Sequence, residues 1–118
     1  MQPSDELCAR ILALDPSIRF AGFADGLGRM VASAYRKGTV PLLTKEESEM
    51  SVAQSILRMG TRSTLEAKLG RTVFAFAMYE KVKRATIPVD KHFLMVSFDT
   101  GAEHEPIIME KILPLLKS

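Results

Sequence analysis

The feature that most constrains this chain is the order in which its predicted helices and strands follow one another. A short helix precedes two strands, a long helix comes next, and three closely spaced strands lead to a final helix. Strands joined by so few residues must pair antiparallel, because a parallel pair needs a crossover of a dozen or more residues. The sequence therefore predicts an α+β fold built on an antiparallel sheet.

The first helix and the first hairpin have recognisable boundaries. Ser4 is suited to cap a helix that Asp15-Pro16 is expected to end, because proline disfavours helical geometry in the residue before it. Strands are predicted from Ile18 to Asp25 and from Arg29 to Arg36. The turn between them contains Gly26 and Gly28, and both glycines are expected to supply the positive φ angles of a tight reversal.

A capping box predicts the start of the long helix. Thr44 is placed to accept a hydrogen bond from the backbone of Glu47, while the Glu47 side chain reaches back to the Thr44 backbone. Gly70 is a natural stop for this helix. The predicted helix therefore begins at Thr44-Lys45 and ends before Gly70.

The apolar residues of the long helix do not form a single stripe. Those of its first half cover about half of the helical circumference, whereas Leu65 and Leu69 fall on a different side. One interpretation of the pattern is that the helix has two neighbours. The alternative is a break at Gly60-Thr61 that lets the second half turn toward the same core.

The last three strands are predicted at Arg71 to Glu80, Val82 to Val89 and His92 to Asp99. The first of them is apolar on both faces, which is typical of a strand covered on both sides. A final helix is expected to start near Pro106, and Pro114 is expected to end or kink it. The sheet is therefore predicted to lie between helices.

Composition limits the kind of protein that this is. With 118 residues, 47% of them hydrophobic and 25% charged, the chain fits one globular domain over residues 1–118. No apolar run approaches the length of a membrane span, and the start of the chain is acidic where a signal peptide is basic, so we expect a cytoplasmic protein. The lone cysteine, Cys8, has no disulfide partner within the chain and is predicted to pack in the core.

Across essentially its whole length, this order of elements resembles the roadblock/dynein-light-chain superfamily of profilin-like folds. The segment from Ile18 to Arg29 is similar to that family's first strand, tight turn and second strand. The chain is also similar to small uncharacterised archaeal proteins of the same layout. The resemblance implies a five-stranded antiparallel sheet of order 2-1-5-4-3 with helices on both faces. It further implies a homodimeric or heterodimeric scaffold, of a kind that is often partnered with small GTPases or motors.

Self-association is expected through the long helix and the strand from Thr72 to Tyr79. In the implied strand order that strand lies at an edge, and an apolar edge without proline or inward charge is a liability unless something covers it. A second copy of the chain would cover it. The predicted interface residues are Met50, Ile56, Leu57, Met59, Val73, Ala75, Ala77 and Tyr79.

Positive charge is concentrated between Arg58 and Arg84, where seven basic residues and two acidic ones occur in a chain of net charge +2. Arg58 and Arg62 share one side of the helix and are predicted to contact an anionic partner such as an acidic protein. The alternative is a solvated helix end whose cations complement the carbonyl terminus. Nucleic acid is not the expected partner, because Phe74 and Phe76 alternate as core residues do.

Motifs that carry catalysis or hold cofactors are missing from the sequence. His92 and His104 lack Cys/His spacing partners, and Gly26-Leu27-Gly28 lacks the third glycine of a dinucleotide fingerprint. We therefore expect no enzyme, no metal site and no cofactor. The expected function is a non-enzymatic dimerisation or signalling scaffold that binds protein partners, and the alternative is a PAS-like sensor of a small ligand.

Overall fold

The five strands of the chain form one antiparallel sheet of order β2-β1-β5-β4-β3 in a computed structural model that describes residues 2–117. This confirms the predicted α+β class and strand order. The elements are α1 (Asp5–Leu12), β1 (Ile18–Ala24), β2 (Met30–Tyr35), α2 (Lys45–Ser63), α3 (Glu66–Leu69), β3 (Ala75–Met78), β4 (Lys83–Val89), β5 (His92–Phe98) and a C-terminal helix made of α4 (His104–Pro106), a π-helical segment (Ile107–Ile112) and α5 (Leu113–Lys117).

The two faces of the sheet are covered to different extents. On one face, α1 and the C-terminal helix enclose the main core. On the other face, α2 buries a small cluster in which Val52 packs on Ala24 and Met95. The prediction of helices on both faces is therefore confirmed. The fully buried side chains of the main core include Cys8, Ile11, Ile18, Phe23, Ile87, Leu94, Val96, Phe98, Ile108 and Ile112.

The hairpin between β1 and β2 turns as predicted, with one difference. Gly28 has a φ of 82°, whereas Gly26 does not adopt a positive φ. The Asp25 carboxylate supplies the remaining constraint, because its Oδ1 accepts hydrogen bonds from the backbone N–H groups of Leu27 (2.9 Å) and Arg29 (3.0 Å). One glycine and one side-chain cap are thus enough for this reversal.

Helix α1 is capped as predicted but ends earlier. The Ser4 hydroxyl accepts a hydrogen bond from the backbone N–H of Leu7 at 3.0 Å. The helix ends at Leu12 rather than at Asp15-Pro16. Asp15 instead forms a turn of its own, in which its carboxylate accepts from the backbone N–H of Ser17 at 2.9 Å.

The capping box at the start of α2 is confirmed. The backbone N–H of Glu47 donates to the Thr44 hydroxyl at 3.1 Å, and the Thr44 N–H donates to the Glu47 carboxylate at 2.9 Å. At the far end, Gly70 has a φ of 87° and ends α3. The predicted limits of this helical region are therefore correct, although two helices occupy it.

The break between the two helices lies beyond Gly60, which is inside α2. Helix α2 ends at Ser63, where the hydroxyls of Thr61, Ser63 and Thr64 each donate to a backbone carbonyl three or four residues earlier. Such bonds compete with the helical pattern. The alternative of a break at Gly60-Thr61 is therefore not what the structure has, and the second half does not turn to the core, because Leu65 remains 58% exposed.

Strand β3 is shorter than the predicted strand from Arg71 to Glu80. It pairs with β4 from Ala75 opposite Thr86 to Met78 opposite Lys83. Beyond Thr86, β4 contains Pro88, which has no backbone N–H to donate to a further pair. Pairing with β5 still extends to Val89, so only β3 is shortened.

Of the two outcomes expected at Pro114, an end or a kink, the C-terminal helix does not end there. It begins at His104, slightly before the predicted start at Pro106, and its middle turns widen into a π-helix. The backbone N–H of Leu113 consequently donates to Ile108, five residues earlier. A wider turn accommodates a proline that lacks an N–H and whose ring crowds the preceding turn of an ordinary helix.

Candidate interaction surface

A groove of about 910 Å³ runs beside α2 on the thinly covered face of the sheet. Helix α2 forms one wall, while β3, β4 and the turn between them line the other side. The groove is open to solvent, because Met50 on α2 is 59% exposed and Tyr79 after β3 is 51% exposed. Such an open surface is suited to another protein rather than to an enclosed small molecule.

Five of the eight predicted interface residues line this groove, namely Met50, Met59, Ala75, Ala77 and Tyr79. They are not equally available, because Met59 is only 5% exposed and helps to hold α2 on the sheet.

The other three predicted interface residues lie outside the groove. Leu57 on α2 is 73% exposed and Val73 before β3 is 52% exposed, so both remain accessible. Ile56 packs against the small cluster beneath α2. The accessible members of the predicted set are therefore on the outer side of α2 and along β3.

The two edges of the sheet differ in how they are protected. At the β2 edge, the backbone N–H of Ser33 donates to the Asp5 carboxylate of α1 at 3.0 Å. Within residues 2–117, no side chain forms such a bond with β3. An exposed strand edge is a template for pairing with another chain, and here β3 is the edge that stays available.

Arginine side chains line the groove beside two serines of α2. Arg84 of β4 donates to the Ser51 hydroxyl at 2.6 Å, and Arg58 donates to the Ser55 hydroxyl at 3.2 Å. Ser55 is buried, and its hydroxyl donates to the Ser51 carbonyl at 2.9 Å. The two guanidinium groups are thus anchored by neutral partners.

No carboxylate within residues 2–117 lies within 4.0 Å of Arg58, Arg62 or Arg84. Arg58 and Arg62 are both exposed and both line the groove. Their charge is therefore free to meet an anionic group from outside the chain.

Solved structures of Roadblock/LC7 domains share this architecture. The Roadblock/LC7 domain from Streptomyces avermitilis matches with a TM-score of 0.74 at 12% sequence identity, covering 98% of this chain and 93% of that one. The chain has the Roadblock/LC7 fold. No protein-family model and no curated protein matches its sequence.

Two MglB structures also have this Roadblock/LC7 fold. MglB from Myxococcus xanthus matches with a TM-score of 0.73 at 14% identity, covering 96% of this chain and 88% of that one. An MglB with a tetrameric arrangement matches with a TM-score of 0.76 at 15% identity, covering 95% and 81%. The resemblance found in the sequence is thereby confirmed for the fold, while the similarity to small archaeal proteins stays a prediction.

Sequence reasoning missed the ion cluster that supports one end of the groove of this Roadblock/LC7 fold. Arg19 and Arg36 each approach the Asp99 carboxylate at 3.4 Å, and Arg19 also donates to the Val40 carbonyl at 3.4 Å. This cluster ties the loop before α2 to the sheet. The residues are up to 80 positions apart, so no local pattern could have paired them.

The far side of β3 contacts the C-terminal helix through an aromatic pair. The rings of Phe76 and His104 stack with centroids 3.7 Å apart and planes 8° from parallel. Burial, and then the nearby Lys83 charge, lower the pKa of His104. Within residues 2–117, no group of three or more His, Cys, Asp or Glu side chains is arranged to hold a metal ion, and no helix is long and apolar enough to cross a membrane.

Proposed function

We propose that this chain is a non-enzymatic module that forms a homodimer through α2 and β3 and binds protein partners in signalling. The observation that carries the proposal is the available edge of β3 beside an open groove, whereas at the opposite edge Asp5 already accepts a hydrogen bond from the backbone of Ser33. An MglB neighbour with the same fold has a tetrameric arrangement, which supports self-association for this kind of scaffold.

The proposed dimer follows from symmetry. A two-fold axis beside β3 pairs this strand with its copy in the second chain, so that two five-stranded sheets become one continuous sheet. The same axis brings the exposed apolar residues next to the groove, Met50 and Tyr79, toward the second chain. Such a contact is expected to bury at least about 1,000 Å² in total, the usual minimum for a biological interface.

Replacing Ala77 with lysine is the direct test of this dimer. Ala77 is exposed on β3 and lines the groove, so a lysine there places a charge and a long side chain where the second copy is proposed to pack. We expect wild type to be dimeric at micromolar concentration and Ala77→Lys to be monomeric by light scattering.

The matched control is Val31→Lys on the opposite edge strand, where Val31 is 50% exposed. This control is expected to remain dimeric. A strictly monomeric wild type, or a dimer that Ala77→Lys leaves intact, would count against the proposal.

We propose a small GTPase as a further partner, as the roadblock resemblance implies, and an acidic protein surface as the contact of Arg58 and Arg62. The acidic surface is supported by the absence, within residues 2–117, of a carboxylate that forms an ion pair with either arginine. Immobilised wild type is expected to capture a GTPase from the native cell extract, and Ala77→Lys is expected to lose it if the dimer forms the binding surface. Equal capture by both variants would mean that a single copy suffices.

We do not propose the PAS-like sensor, because exposed lining residues such as Met50 and Tyr79 leave the groove open to solvent, whereas a sensor encloses its ligand. The cytoplasmic location expected from the sequence stays a prediction.

A further inference from the structure

Charge is divided between the two ends of α2 along the side that lines the groove. The first turn contains Lys45, Glu46 and Glu47, and of these only Glu47 lines the groove. Toward the other end, Arg58 and Arg62 line the same groove. Eleven to fifteen residues of helix separate the glutamate from the arginines, which is about 16 to 22 Å at 1.5 Å per residue. The side of α2 that lines the groove is therefore negative at its beginning, through Glu47, and positive near its end, through Arg58 and Arg62.

A two-fold axis makes such a helix complementary to itself. In a two-fold pair whose axis runs perpendicular to the helices, the two copies of α2 lie antiparallel, so the beginning of one faces the end of the other. The acidic end then meets the arginines of the second copy twice, once on each side of the axis. A parallel pair would instead place like charges together at both ends.

We infer that the anionic partner of Arg58 and Arg62 is the acidic first turn of α2, Glu46 and Glu47, in a second copy of this chain. The inference rests on the proposed self-association and adds the contact that Arg58 and Arg62 make within it. It explains why these arginines lack a carboxylate within their own chain. Charge complementarity would then also give specificity for the homodimer. A partner helix that lacks an acidic first turn would leave Arg58 and Arg62 without a carboxylate.

A charge-swap experiment tests the inference. Arg58→Glu/Arg62→Glu places acids against acids in its homodimer, and Glu46→Lys/Glu47→Lys places bases against bases. Each variant alone is expected to dimerise about tenfold or more weakly than wild type. Mixed in equal amounts, the two are expected to form a heterodimer of near wild-type affinity, because both contacts again join opposite charges. Sedimentation and energy transfer between labelled chains measure these affinities.

Controls separate this effect from general charge and from folding. Lys37→Glu/Lys91→Glu makes the same change in net charge at exposed sites outside the groove, and its affinity is expected to stay within twofold of wild type. If the lysine variant melts too low for use, Glu47→Gln replaces it. Glutamine keeps an oxygen for the capping box while removing the charge, so it is expected to weaken the dimer and its dependence on salt.

The possible results test the charge contact separately from the self-association on which it rests. A monomeric wild type overturns the self-association itself. A dimer in which Arg58→Glu/Arg62→Glu binds as wild type does overturns the inference and leaves the dimer standing. Weakening without rescue in the mixture also overturns it, because the counterpart of the arginines would then lie elsewhere.

Discussion

Replacing Phe23 with alanine is expected to lower the free energy of unfolding by about 3–5 kcal/mol. Phe23 lies in β1, an interior strand of the sheet, and is fully buried in the core between the sheet, α1 and the C-terminal helix. Removing the ring leaves a cavity that rigid neighbours such as Leu94 and Ile108 fill only in part. Denaturation in urea at a fixed protein concentration measures the change.

Phe20→Ala is the matched control, because Phe20 belongs to the same strand but packs with the small cluster beneath α2. Its ring is only partly buried and contacts Tyr35 with a centroid distance of 4.7 Å. We expect a loss of about 1–2 kcal/mol, since less apolar area leaves water there. Equal losses for the two variants would contradict the division of the sheet into a densely packed and a thinly covered face.

This division has a functional meaning. Most of the buried apolar side chains lie on one face of the sheet, which leaves the other face available for contacts. The groove, the available edge of β3 and the uncompensated arginines all lie on or beside this second face. The stability of the chain and its proposed association thus depend on different sets of side chains. Substitutions of the exposed residues along the groove are therefore expected to change association with little change in unfolding.

The sequence predicted the parts of the fold that depend on local chemistry. The capping bonds of Ser4 and Thr44, the reversal at Gly28 and the antiparallel pairing of the last three strands all follow from residues that are close in the chain. The strand order did not follow from local signals. It came from the resemblance, because nothing in the spacing of the strands specifies that β1 pairs with β5.

The errors occurred where distant or competing groups decide the outcome. The length of β3 depends on Pro88 in the neighbouring strand, and the break after α2 depends on hydroxyl groups that compete with the helix rather than on Gly60. The passage of the C-terminal helix through Pro114 required a change of helix type that no propensity indicates.

The candidate surface was predictable in outline only. Alternation of apolar residues identified the strand that contains Ala77, and charge counting identified Arg58 and Arg62. The contact between Ser51 and Arg84 joins residues 33 positions apart and depends on how α2 lies across the sheet. The groove itself is a product of that packing, so no sequence pattern could have indicated it.

Raising the pH from 9 to 11 is expected to remove about 2–3 kcal/mol of stability through Cys8 alone. Burial, reinforced by the charge of Asp5, raises the pKa of this thiol from 9.0 to about 11. The folded chain therefore keeps a proton that the unfolded chain releases above pH 9. The contribution is fully present below pH 9 and is lost as the pH rises through the folded value.

Cys8→Ala isolates this contribution from the lysines and tyrosines that titrate in the same range. The difference in unfolding free energy between wild type and Cys8→Ala is expected to be constant from pH 7 to 9 and to fall by about 2–3 kcal/mol by pH 11. A difference that stays constant to pH 11 would mean that the thiolate reaches water in the folded chain. Because Cys8 is fully buried against β1, that result would also question how tightly α1 covers the main core.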